Sequence, residues 1–214
     1  MTARPTRAAA PAPRRRPRQP RAQQTARALQ EALVQLLAER EYADISIREI
    51  VSVAGTGLGS FYQYFASKDD LARICLHLRS KGLLTAMQAA AARCAGQPMD
   101  DVASAIVDSM IDAHRGHARE WDAHYLLERH LSSAQAYRKM YQRFVDAWSK
   151  ALAAAGDALP PERLREAALV CQTVVYGLFA HAFIGSRGRL DLKQLAQACR
   201  DAATGCLQRI RERE

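Results

Sequence analysis

The chain has 214 residues, 49% hydrophobic and 25% charged, with a net charge of +9. That length and balance suit one large or two small globular domains, and no run of about 18 consecutive apolar residues is present to span a membrane. Seven arginines (Arg4, Arg7, Arg14, Arg15, Arg16, Arg18, Arg21) and no acid fall in residues 1–22, leaving 24 basic against 22 acidic side chains elsewhere, which excludes a uniformly basic fold.

Residues 1–22 are Pro, Ala and Arg without apolar periodicity. They predict a disordered arm that favours polyanions through counterion release and reads no sequence. The arm lacks the apolar middle of a secretory signal, so a cytoplasmic protein is expected. A mitochondrial transit peptide is the second reading of this arm, and its prolines weigh against the amphipathic helix required.

From residue 23 onward the pattern is helical and shows no alternating strand. Breaks at 55–59, 96–98, 116, 156–161 and 185–188 divide it into about nine helices, an all-α fold. The first helix is expected over residues 23–40, with Leu29, Leu33, Leu36 and Leu37 in one stripe. Ser46 and Glu49 form an S-x-x-E capping box for a two-turn second helix, with Ile45 and Ile50 placed as a staple. Ile47, Ile50, Val51 and Ala54 then face inward. After the break at 54–57 a third helix sets Leu58, Phe61 and Phe65 inward. Ser67 and Asp70 propose a second capping box, opening helix four. Two short helices across a glycine turn, braced by a longer first helix, make a helix-turn-helix, the second being the recognition helix.

The run SIREIVSVAGTGLGSFYQYFASKDDL, residues 46–71, closely resembles the tetracycline-repressor (TetR/AcrR) family. The shared pattern is a short helix, an Ala-Gly turn, a helix ending in aromatics, and Ser-Lys-Asp opening helix four. The resemblance implies a DNA-binding domain over 23–68 (helix-turn-helix 46–65) and a ligand-binding and dimerisation domain over 69–214. It further implies a sequence-specific regulator of operator DNA, usually a repressor released by a ligand. Family members often carry Ser or Thr where Gly57 sits and a polar residue where Leu58 sits. Gly57 and Gly59 cost the helix up to roughly 1 kcal/mol each relative to Ala. Gly57 would let backbone amides approach a phosphate, and Gly59 would keep a side chain from standing between helix and groove, with glycine merely tolerated there as the alternative.

By this resemblance Ser60, Tyr62, Gln63 and Tyr64 face DNA, beside Ser46 and Thr56. Gln63 suits adenine, and tyrosine hydroxyls suit phosphates. Scaffold aromatics remain the alternative for Tyr62 and Tyr64. Lys68 opposes the dipole at the start of helix four, which suggests a phosphate there. Arg27 and Arg48 are further phosphate candidates, or solvated surface charges. Residues 23–68 sum to a charge of −1, so the arm is expected to supply the missing positive charge.

The resemblance also places a ligand cavity and a dimer interface in the C-terminal region. Helix eight, opened by Pro160-Pro161, presents Ala168, Cys171, Val175 and Leu178. Helix nine presents Leu195, Cys199, Ala202 and Cys206. These eight are the dimer candidates, with packing inside one subunit as the alternative. Trp121, Tyr125 and Glu128 share a helix face, with His124, Tyr141, Trp148, Tyr176 and His181 as further candidates for a small, largely apolar ligand. Ordinary core packing is the alternative for each. His114 and His117 are three apart without a further ligand cluster, and the five cysteines lack metal or disulfide spacing, so neither cofactor nor metal is expected. No nucleophile elbow, phosphate loop or H-E-x-x-H appears, which argues against an enzyme. An architectural DNA-binding protein without sequence preference is the remaining alternative.

Overall fold

The computed structural model describes residues 20–185 and 190–213; most of the basic arm lies outside them. Nine α-helices and one 3-10 turn, and no strand, occur among the described residues. They are α1 (Pro20–Leu37), a turn at Tyr42–Asp44, α2 (Ile47–Val53), α3 (Leu58–Tyr64), α4 (Lys68–Arg93), α5 (Met99–His114), α6 (Ala118–Leu131), α7 (Ala134–Ala153), α8 (Pro161–Gly185) and α9 (Leu192–Arg211).

Two buried clusters organise these helices. The smaller joins Leu29, Leu33 and Leu36 of α1, Ile50 and Val51 of α2, Phe61 of α3, and Leu71 and Leu76 of α4. Leu127 and Leu131 of α6 complete it, so this core draws on residues well beyond 68. The larger cluster holds α5, α7, α8 and α9 together and also buries Trp121 and Tyr125 of α6. One helix therefore contributes its first half to one core and its last turns to the other. A shift of α6 is felt in both, because close-packed interiors transmit displacement.

The ends of α4 and α7 meet through backbone. Gly96 N–H donates to Ala154 O at 2.8 Å, and Gly156 N–H donates to Gln97 O at 2.9 Å. A Cβ at Gly156 would lie 2.5 Å from Gly96 O, so only glycine fits that crossing. The break between α6 and α7, at Ser132-Ser133, carries neither Gly nor Pro; Ser133 caps α7 by accepting from Ala136 N–H at 3.2 Å.

α8 is the one described helix long and apolar enough to cross a membrane by length and composition. Here it packs between α7 and α9 as a core helix.

Candidate nucleic-acid interface

The α2–turn–α3 unit is fixed by local chemistry. Ser46 Oγ accepts from Glu49 N–H at 3.2 Å, and Glu49 Oε2 accepts from Ser46 N–H at 2.8 Å, completing the expected box. Hydrogen bonds from Ser46, and the adjoining Arg40, hold the Glu49 carboxyl down at about 2. The C-terminus of α2 closes as a Schellman turn: Thr56 N–H reaches Val51 O at 2.9 Å and Gly55 N–H reaches Ser52 O at 3.2 Å. Gly55 takes φ 63°, the left-handed conformation this turn requires.

α3 is anchored by Phe61 and by Phe65 just beyond it, both buried. Tyr62 and Gln63 lie on its exposed side, Ser60 and Thr56 are half-buried, and Gly57 and Gly59 are exposed. A Cβ at either of these glycines would meet nothing within 4 Å, so nothing inside the chain demands glycine there. Tyr64 is half-buried and packs against the smaller core, which favours its scaffold reading. Leu58, expected inward, is 39% exposed and stands at the start of α3. Ser46's hydroxyl is committed to the cap, also donating to Glu49 Oε2 at 2.7 Å. Arg27 and Arg48 are exposed on α1 and α2.

Lys68 requires a correction. Its ammonium donates to the carbonyls of Tyr42 and Ile45, each at 2.7 Å, and sits 4.2 Å from the centre of the Tyr42 ring. The charge that opposes the α4 dipole is stabilised by hydrogen bonds to two carbonyl oxygens at the preceding turn, and no phosphate is needed to explain it. The second capping box also forms only by half. Ser67 Oγ accepts from Asp70 N–H at 3.1 Å, while the Asp70 carboxylate turns to Arg73 at 3.3 Å.

Two family models match the chain: "Bacterial regulatory proteins, tetR family" over residues 29–74, and "Tetracyclin repressor-like, C-terminal domain" over residues 98–207. The chain belongs to the TetR family. Solved structures share its fold. A Rhodococcus transcriptional regulator is 23% identical with a TM-score of 0.67, covering 86% of this chain and 96% of its own. A putative TetR-family regulator from Mesorhizobium loti is 13% identical with a TM-score of 0.69, covering 89% and 98%. The TetR family repressor AlkX of Dietzia, implicated in n-alkane biodegradation, is 16% identical with a TM-score of 0.56, covering 86% and 95%. No curated protein matches.

In this TetR-family chain the expected ligand residues separate. Trp121, Tyr125 and Trp148 are buried in the larger core. Trp121 stacks on His114 at 3.8 Å and donates to Ala113 O at 3.2 Å. Met110 O lies 2.6 Å from His114 Nδ1, so Nδ1 donates there, and Nε2 accepts from Tyr125 OH at 3.1 Å. Both nitrogens of this neutral ring are thus occupied, and burial pushes its pKa down to about 3, as it does for His124. His117 pairs with Glu120 instead, and no metal-holding group of three appears among the described residues. Trp148 Nε1 donates to buried Gln172 at 3.2 Å. His181 is exposed on α8, away from this core.

Open space lies instead between α4 and α7, in a groove of about 1080 Å³ that Glu128, alone of the eight ligand candidates, lines. Glu128 is buried and accepts from Tyr176 OH at 2.6 Å; burial raises its pKa. Tyr137 and Tyr141 stack near Tyr176, with ring centres 6.3 and 5.9 Å away. Tyr137 was missed in the sequence, though its i, i+4 spacing from Tyr141 was a signal. Arg79 was also missed: it pairs α4 with Glu120 of α6 and lies 4.8 Å over the Trp121 ring. No local pattern marks a partner 41 residues away.

The dimer candidates need a second correction. Ala168, Cys171, Val175, Leu195 and Cys199 are buried inside this chain's own core, and Leu178 packs against it. Only Ala202 and Cys206 stay half-exposed outside that cluster. The open face of α8 carries Leu169, 48% exposed, with Val170 and Val174, none of them in either core.

Proposed function

We propose that this regulator is a homodimeric, cytoplasmic repressor that binds operator DNA through α3 and is released by a small, largely apolar ligand. The observation that carries the DNA-binding part is the outer surface of α3. Phe61 and Phe65 pin the helix while Tyr62 and Gln63 project outward and Gly57 and Gly59 leave its approach clear. Glycine at these two positions on the outer side of α3 keeps side chains from standing between the helix and a duplex groove. Arg27, Arg48, Thr56 and Ser60 surround this surface as backbone or base contacts, and the N-terminal arm supplies further positive charge.

Dimerisation is assigned to the partly exposed apolar stripe of exposed Leu169 and half-buried Val170 and Val174 of α8 with Ala202 and Cys206 of α9. An apolar stripe on a helix otherwise buried by its own chain marks a partner surface. Two such helix pairs make a four-helix bundle related by a two-fold axis. Release is assigned to the α4–α7 groove, because α4 carries the helix-turn-helix at one end and lines the groove along its length. A ligand shifts the equilibrium only by its differential affinity for the two states. The repressor sense is shared with AlkX by fold and family alone.

Selection from a random duplex pool tests the reading. A near-palindromic consensus with two half-sites is expected. Recovery of DNA without any consensus would favour the architectural alternative.

A further inference from the structure

The charge around the α4–α7 groove exceeds what its apolar floor explains. α4 and α7 run side by side in the same direction. Near their starts Arg73 of α4 reaches Leu131 O, just ahead of α7, at 3.5 Å, and beyond their ends Gly96 N–H reaches Ala154 O. The floor between them includes Leu76, Leu84, Leu131, Met140 and Phe144. Lys81, Lys139, Arg143 and Lys150 line the same groove, and none of the four has an acidic partner among the described residues. Arg73, also on the rim, is paired with Asp69 and Asp70. Of the two acids of the lining, Glu128 is buried and takes the Tyr176 hydroxyl, while Asp146, bonded to Gln142 at 2.8 Å, offsets one of the cations and leaves the lining positive.

Lys139 and Arg143, one turn apart on α7, carry like charges on one stretch of the lining, and an anion between them relieves their repulsion. The floor is too apolar for an inorganic ion to fill, and the volume of about 1080 Å³ lies just above the range of about 300–1,000 Å³ for small-molecule sites. We infer that the groove takes a monomeric amphipathic anion, a long-chain carboxylate whose chain lies over Leu84, Met140 and Phe144 and whose head pairs with Lys139 and Arg143. Lys81 and Lys150, elsewhere on the lining, add to the positive field of the groove. A cationic amphipath meets the same four charges and is rejected. This assignment deepens the ligand-release reading and rests on it for its regulatory meaning, not for the binding itself.

The test uses the full-length protein without DNA. Dodecanoate, its methyl ester and dodecyltrimethylammonium are titrated below their micelle concentrations, with binding followed by calorimetry. The carboxylate is expected to bind about tenfold or more tightly than the ester, with the preference shrinking as salt rises. The ammonium compound is expected not to bind. A Lys139→Gln/Arg143→Gln double variant, changed at exposed positions, is expected to keep its circular dichroism and bind both neutral and anionic chains alike. Equal binding of ester and carboxylate by the wild type would overturn the assignment. So would tighter binding of the ammonium compound, a preference that survives the double variant, or uptake of anionic vesicles in place of the monomer. Operator release is then read separately by anisotropy. Carboxylate binding without release would refute the ligand-release reading and leave the assignment standing. Release by a neutral apolar compound, with no carboxylate preference, would do the reverse.

Discussion

The Lys68 ammonium rests on Tyr42, 2.7 Å from its carbonyl oxygen and 4.2 Å from the centre of its ring, locking the start of α4 to the turn before α2. Tyr42 returns the contact by donating its hydroxyl to Asp69 at 2.6 Å. The recognition helix lies between these anchored points, so its aim depends on this clasp.

Replacing Lys68 with Met is therefore expected to lower stability by about 1–3 kcal/mol, the range for charge-assisted hydrogen bonds lost from a half-buried site. Thermal melting reads the loss. The slope of log affinity for DNA against log salt should stay near the wild-type value, because no counterion-releasing contact is removed. An unchanged melting point with a flatter salt slope would restore Lys68 as a phosphate contact.

The two faces of α8 predict opposite behaviour. Leu169→Glu with Val174→Glu changes the uncovered stripe and is expected to give folded monomers with weak DNA binding. Val175→Asp buries a charge in the subunit's own core and is expected to cost several kcal/mol, roughly 3 or more, and to unfold much of the protein. Sedimentation with circular dichroism separates these outcomes. A folded Val175→Asp monomer would place the interface on the other face.

The buried histidines set the response to acid. His114 and His124 have folded pKa values of about 3 against 6.5 in the unfolded chain. The unfolded state binds protons first, so their contribution is full above 6.5 and is lost progressively as pH falls from 6.5 toward 3. Glu128 acts in the opposite sense, since its raised pKa makes its contribution decline as pH rises through the folded value. The two histidine shifts are the larger, so the melting temperature should fall between pH 7 and pH 5. Glu128→Gln should steepen that fall. A melting temperature that rises toward pH 5 would contradict the assignment of neutral buried imidazoles.

Much of the N-terminal half was legible because its signals are local. The Ser46–Glu49 box and the Gly55 turn are written within a few residues, and the apolar spacing of Leu29, Leu33 and Phe61 decides their burial. The Lys68 clasp was not legible: the dipole argument saw only its own helix, while the carbonyls that receive its charge lie 23 and 26 residues earlier. Nor could periodicity choose between two apolar faces of α8, since Val174 and Val175 have the same hydrophobicity and only the fold decides which one is covered. The aromatics of α6 were correctly placed on one face, but they close a core, and of that face only Glu128 reaches the groove. The α4–α7 groove draws most of its lining from those two helices, whose cations read in sequence as ordinary solvated charge.

The central claim, that α3 reads operator sequence, is tested most directly by fluorescence anisotropy on the selected operator and on a scrambled duplex, with wild type, Gln63→Ala and Tyr62→Ala. Each substitution is expected to weaken operator binding by roughly 1–3 kcal/mol and to leave scrambled-duplex binding and circular dichroism unchanged. Wild-type operator affinity in both variants would contradict the claim.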